Sequence, residues 1–128
     1  VLRRLFGAIQ LSKEGVASVL ITGGTALNLA AIRRQVAPER APAFFQTSVS
    51  REALEAIYRR LADSDLEARS KEKFLERGRE DVIVPGLAIL RSLIRAIGVE
   101  TLNVTHMGLR EGILDALLRG QPANGPAG

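Results

Sequence analysis

The chain has 128 residues, 46% of them hydrophobic, which suits one domain with enough apolar side chains for a core. It contains no cysteine, which excludes disulfide scaffolds, thiolate metal sites and cysteine nucleophiles and makes a reducing cytoplasm the expected compartment. The formal net charge is +4, and arginine supplies most of the basic residues. Arginine matches phosphate well, although a basic solvated surface is the simpler interpretation of the charge alone.

Two classes of partner are not expected. The sequence has no run of 18 apolar residues and no signal-peptide pattern, so no membrane partner is predicted. Aromatic and basic residues are not interleaved as they are in single-strand binders, so no nucleic acid is predicted either.

The first predicted element is an amphipathic helix that ends at Gly15, a natural left-handed cap. Its apolar residues recur at i, i+3, i+4 and i+7: Leu2, Leu5, Phe6 and Ile9. Because the chain begins inside this helix with Val1 rather than methionine, we expect a piece of a longer protein.

A short, nearly all-apolar strand is predicted over residues 16–22, of the kind that is buried on both faces. A helix follows over about 25–36. Pro38 then opens a loop that reaches Ser50.

Three helices are predicted next. Ser50 caps the first, whose apolar face comprises Leu54, Ile57, Tyr58 and Leu61. Ser64 begins a short second helix that runs to about Glu76, through a capping-box spacing to Glu67. The third has Pro85 in its first turn and stops at Gly98.

The last predicted elements are a strand over residues 101–105 and, after Gly108, a helix over 109–118. Residues 121–128 have the composition of a disordered tail. The pattern of strand, glycine and helix therefore occurs twice, with helices between the two strands. Such crossovers predict parallel strands in one sheet covered by helices.

Two parallel strands leave unpaired backbone edges and do not form an independently stable sheet. We therefore expect further strands upstream of Val1. The open edge, and a face normally covered by the absent half, predict a homodimer.

The junction at Gly23, Gly24 and Thr25 is the candidate phosphate-binding site. A strand that ends in glycines and leads into a helix directs free backbone N–H groups and the positive end of the helix dipole at one point. The Thr25 hydroxyl can cap the helix or donate to an oxygen. An ordinary tight turn is the alternative, since neither a Walker A sequence nor GxGxxG is matched.

Other candidates have weaker support. His106, the sole histidine, is either a base or ligand or a loop residue without a role. Arg110 begins a helix, where it forms a local ion pair or faces a phosphate, and Arg79 is a further candidate for ligand contact. No cluster has metal-ligand spacing. No catalytic triad or pair of catalytic carboxylates is evident.

Three segments in this order resemble the Ppx/GppA family of exopolyphosphatases and guanosine pentaphosphate phosphohydrolases. They are "ITGGTALNLAAI" at 21–32, "REDVIVPGLAIL" at 79–90 and "LNVTHMGLREGIL" at 102–114. The resemblance implies an α/β, helix-rich, partial ribonuclease H-like lobe, as in actin, sugar kinases and chaperone ATPases. It implies that residues 1–120 form the later part of the second lobe, with Gly23, Gly24 and Thr25 beside the interlobe cleft.

The resemblance also implies a function. Members release orthophosphate from the end of polyphosphate or from guanosine pentaphosphate, with magnesium as cofactor. The family's phosphate loops and catalytic glutamate belong to upstream sequence, so we expect an inactive fragment whose partner is the absent N-terminal lobe. Thr105 and His106 stand where members often have Ser-Asp, so that aspartate's role is not carried over. A non-catalytic binding or assembly module is the alternative.

Overall fold

A computed structural model describes residues 18–40 and 47–120. This part of the chain contains three strands and five helices. In chain order they are β1 (Val19–Ile21), α1 (Gly24–Arg34), β2 (Thr47–Ser50), α2 (Arg51–Ala62), α3 (Leu66–Ser70), α4 (Ile83–Ile97), β3 (Thr101–Val104) and α5 (Leu109–Leu118). The expected first helix, the start of the strand expected at 16, part of the loop before Ser50 and the tail lie outside the described residues.

The strands form one sheet in the order β1-β3-β2. β1 and β3 are parallel, with Val19 opposite Leu102 and Ile21 opposite Val104. The predicted parallel pair is therefore confirmed. β2 pairs with the other edge of β3 in the antiparallel sense, so the sheet is mixed.

The sequence did not predict β2, which lies within the expected loop. Val49 is its one strongly apolar residue, and the strand has only four residues. Ser50 ends this strand and also caps α2, because its side chain accepts a hydrogen bond from the backbone N of Ala53 at 3.2 Å. A pattern this short does not stand out from a polar loop.

Most helix signals were correct. α4 has Pro85 in its first turn and ends at Gly98, which is left-handed with φ 80°. The α1 helix ends at Arg34, two residues earlier than expected, because Gln35 adopts a left-handed conformation.

The cap predicted at Ser64 is wrong. The α3 helix begins after Asp65, whose side chain accepts from Ala68 N at 2.7 Å. Ser64 instead donates its hydroxyl hydrogen to the carbonyl of Arg60 at the end of α2. The helix stops at Ser70 rather than near Glu76, and turns connect it to α4.

The core lies where α1 and α2 pack against the sheet and α4 packs against these two helices. Its fully buried large side chains come from all three helices and from β2 and β3: Leu29, Leu54, Leu61, Ile83, Leu87, Ile94, Val49, Leu102 and Val104. β3 therefore forms the centre of the fold and fixes where the neighbouring loops emerge.

β1 is not the fully buried strand that was predicted. Val19 and Ile21 pack against the core, whereas Leu20 points to the opposite side and is 65% exposed. The alternation follows from the period of two in a strand, because the described helices cover one of its faces. None of the helices in the described ranges combines the length and apolar character that a bilayer crossing requires.

Candidate phosphate-binding site

The two parallel strands end at the same edge of the sheet. Beyond the last paired residues, the backbone N of Thr105 donates to the carbonyl of Ile21 at 2.9 Å. A Cβ added to Gly108 would lie 3.5 Å from the Oγ1 of Thr22, so the loops after β1 and β3 adjoin. Open α/β sheets bind ligands beyond the carboxyl ends of their strands. This edge therefore contains the candidate site.

The first loop passes into α1 at Gly23, which is the N-cap residue. Its φ of 101° requires glycine, and its carbonyl accepts from Leu27 N at 3.0 Å. No side chain caps α1 and no acidic residue lies in its first turn. The first-turn amides and the positive end of the helix dipole are thus not neutralised by α1 itself.

Thr25 lies in the first turn of α1 and does not act as its cap. A Cβ added to Gly86 would come within 2.5 Å of the Thr25 Oγ1, so this side chain packs directly against α4. Gly86 has no side chain, and this permits the close approach of Thr25. The contact fixes the start of α1 against α4.

Arg79 lies over Gly24, although the two residues are far apart in sequence. A Cβ added to Gly24 would meet the Arg79 Cζ at 2.3 Å. The Nε of Arg79 donates to the Oε2 of Glu76 at 2.7 Å. The fold therefore brings one secondary candidate, Arg79, to the glycine loop.

Asn28 and Glu76 complete this arrangement, and neither was predicted as a site residue. Asn28 is 1% exposed; its Nδ2 donates to the carbonyl of Gly24 at 2.8 Å, and its Oδ1 accepts from Glu76 N at 2.7 Å. The hydrogen bond from Arg79, followed by that from Asn28, holds the pKa of the Glu76 carboxyl below its ordinary value, against the effect of burial. An asparagine between Leu27 and Leu29 on a buried helix was the available signal.

The second loop leads into α5 and differs in charge. The Glu111 carboxylate accepts from Gly108 N at 2.8 Å. Hydrogen bonds from its own backbone amide and from that of Gly108 hold the pKa of this carboxyl below its ordinary value, and the charges of Arg110 and His106 add to the effect. Arg110 is exposed and, within the described ranges, makes no hydrogen bond to the first loop.

The described side chains near the site include no cluster of metal ligands. In residues 18–40 and 47–120, no three histidine, cysteine, aspartate or glutamate side chains are grouped to hold a metal ion. The local chemistry instead consists of backbone amides, one guanidinium and its paired carboxylate. Such groups bind an anion without a metal.

Comparisons with known proteins agree with this architecture. A crystal structure of the Aquifex aeolicus Ppx/GppA family member has 24% sequence identity and a TM-score of 0.83, and the match covers 95% of this chain and 40% of that one. A type II variant of the Aquifex aeolicus Ppx/GppA phosphatase has 25% identity and a TM-score of 0.80, with 88% and 37% covered. An exopolyphosphatase from Cytophaga hutchinsonii has 16% identity and a TM-score of 0.76, with 97% and 42% covered.

These likenesses confirm the expected α/β fold, and the chain spans about 40% of the length of these structures. No curated protein sequence matched the chain. The sequence model of the Ppx/GppA phosphatase family matches residues 4–120. The chain belongs to the Ppx/GppA phosphatase family.

Proposed function

We propose that this chain is the later part of the second lobe of a phosphoanhydride hydrolase and that its first loop holds the phosphate chain of the substrate. The position of the Arg79 guanidinium over Gly24, at the uncapped start of α1, is the observation that supports this. A cation is disfavoured at the positive end of a helix dipole, and here Glu76 is its paired anion. A phosphate at this point would be attracted by both positive groups.

Each candidate residue has a defined role in this proposal. Gly23 supplies the backbone conformation, and the amides of Gly24 and Thr25 donate to phosphoryl oxygens. Arg79 binds a further oxygen through its terminal nitrogens. Arg110, at the start of α5, contributes long-range attraction to the more distant part of a polyanion.

The proposed reaction is attack of water on a terminal phosphate with release of orthophosphate. The substrate is inorganic polyphosphate or guanosine pentaphosphate. Magnesium would neutralise charge on the phosphoryl oxygens. In this proposal its ligands and the catalytic carboxylate belong to the N-terminal lobe, as the family resemblance implies. The 128-residue chain itself is then inactive.

The proposed setting is the cytoplasm, with residues 1–120 joined to an N-terminal lobe and 121–128 as a tail. Homodimerisation is part of the proposal because β1 is an edge strand of the described sheet and Leu20 is exposed beside it. Leu109, Leu117 and Leu118 of α5 are exposed as well. Sedimentation that shows a monodisperse monomer would contradict the dimer.

Orthophosphate release tests the reaction. It would be measured from long-chain polyphosphate and from guanosine pentaphosphate, with the 128-residue chain and with a full-length protein that contains it. We expect release by the full-length protein alone. Release by the short chain would refute its inactivity, and a full-length protein inactive on both substrates would refute the hydrolase. Binding without release would support the non-catalytic module instead.

A further inference from the structure

Asn28 and Glu76 contact the residues of the proposed site and are not themselves assigned a contact with the ligand. The amide of Asn28 is buried and uses both its oxygen and its Nδ2 on Gly24 and Glu76. Its Nδ2 also lies 3.3 Å from the Oε2 of Glu76. Asn28 therefore joins the start of α1 to the segment before α4, and its buried polar atoms are satisfied within the protein.

Glu76 uses the same oxygen, Oε2, for Asn28 and for the Nε of Arg79. With Nε directed at Glu76, the terminal nitrogens of Arg79 lie over Gly24. A Cβ there would be 2.3 Å from Nη2 and 2.5 Å from Nη1. Neither terminal nitrogen donates a hydrogen bond to another of the described residues. These are the nitrogens that fit a phosphoryl oxygen.

The Arg79 side chain is 36% exposed, and Glu76 is its hydrogen-bond partner among the described residues. A long arginine side chain loses rotamer freedom when it is held in one conformation. If the protein already holds the Arg79 side chain in one conformation before a ligand arrives, ligand binding does not incur this loss of conformational entropy.

We infer that Asn28 and Glu76 are positioning residues that hold the terminal nitrogens of Arg79 over Gly24 and thereby strengthen binding of a phosphoanhydride chain. This inference rests on the proposed function of the first loop. It opposes what charge alone predicts, because a carboxylate near an anion site weakens anion binding. The sign of the effect at Glu76 therefore separates the two explanations.

The test measures the dissociation constant of tripolyphosphate by titration calorimetry with the full chain. Glu76→Gln and Glu80→Gln remove the same charge from one segment, and Glu80 accepts from Gly78 N rather than from Arg79. We expect Glu76→Gln to weaken binding about fivefold, since a neutral amide oxygen holds the guanidinium through a weaker hydrogen bond than a carboxylate does. Glu80→Gln is expected to leave binding unchanged or slightly tighter.

A double-mutant cycle with Arg79→Gln distinguishes positioning from a general structural role. We expect Glu76→Gln to cause no further loss once Arg79 is replaced. An equal loss in both backgrounds would overturn the inference. The inference would also be overturned if Glu76→Gln bound as tightly as the wild type, or more tightly, while Arg79→Gln bound weakly. In that case the proposed site itself would still be supported. Wild-type binding by Arg79→Gln would refute both the inference and the role of Arg79.

Discussion

The two junctions at the carboxyl edge of the sheet have the same order of strand, glycine and helix but opposite electrostatic character. At the start of α5, the third helical residue is Glu111, whose carboxylate accepts from the N-cap amide of Gly108. At the start of α1, the equivalent residue is Ala26, which is 3% exposed. A carboxylate at that buried position would be strongly disfavoured.

Two helix starts with the same sequence order therefore differ in whether an acidic side chain neutralises the positive end of the helix. The α5 junction supplies its own anion, in the manner of an ordinary capped helix. The α1 junction has no acid in its first turn and has a guanidinium placed against it. Packing also separates the two, because α1 contributes six buried residues and α5 contributes none.

The largest expected effect is a loss of stability when the packing of the α1 junction is disrupted. In Gly86→Ala, the new Cβ would meet the short Thr25 side chain at 2.5 Å, and neither helix can yield easily. We expect a loss of about 2 kcal/mol in the free energy of unfolding. Urea unfolding followed by circular dichroism measures it.

Gly112→Ala in α5 is the matched control. A Cβ there meets nothing within 4 Å, so the substitution is expected to stabilise the helix by about 0.5–1 kcal/mol. Equal urea midpoints for Gly86→Ala and the unsubstituted chain would contradict the close α1–α4 contact.

The second effect concerns binding rather than stability. Gly24→Ala would displace the guanidinium of Arg79, which is the far end of a flexible side chain, so stability should change little. Loss of one charge-assisted bond is expected to weaken tripolyphosphate binding about tenfold, as measured by titration calorimetry. In Gly108→Ala the new Cβ would lie 3.3 Å from its nearest neighbour, the Oε2 of Glu111. This variant is expected to bind tripolyphosphate as the unsubstituted chain does. Equal affinities for the two variants would contradict the difference between the junctions.

Arg110→Gln is expected to have a smaller effect than Arg79→Gln. Arg110 is exposed and lies beside Glu111, whose charge partly offsets its own. Solvent screening then limits the change in tripolyphosphate affinity to about twofold. A loss as large as that of Arg79→Gln would place Arg110 in direct contact with the ligand.

The smallest effect is a pH dependence confined to α5. The pKa of the Glu111 carboxyl is depressed in the folded protein. The stabilisation that Glu111 gives to the start of α5 is therefore fully present above the ordinary pKa of 4.5 and is lost as the pH falls through the folded pKa. We expect the amide resonance of Gly108 to shift in that acid range in an NMR titration. Glu111→Gln should abolish the shift, and a Gly108 resonance that moves equally in both proteins would contradict the assignment.

Local signals were sufficient for much of the fold. The bounds of α5 were predicted to the residue, and the stop at Gly98 and the cap at Ser50 were correct, because each depends on neighbours within one turn. The cap at Ser64 failed because Asp65, beside it, has an equally suitable side chain. Choosing between adjacent caps requires knowledge of where the preceding helix ends.

The site was predicted only in part. Gly23 and Gly24 were found because their conformation and position follow from local sequence, whereas their phosphate-binding role stays a proposal. The placement of Arg79 over Gly24, and of Asn28 against Glu76, joins segments that only the folded chain brings together.

The sequence by itself determined the family, most of the described helices and the two strand–glycine–helix junctions, because periodicity, caps and glycines act over a few residues. Tertiary structure alone decided that β2 pairs antiparallel with β3 and that Arg79, rather than Arg110, reaches the first loop. Those features depend on which distant segments pack together in the core, and the free energy of burying apolar surface over the whole fold determines this packing.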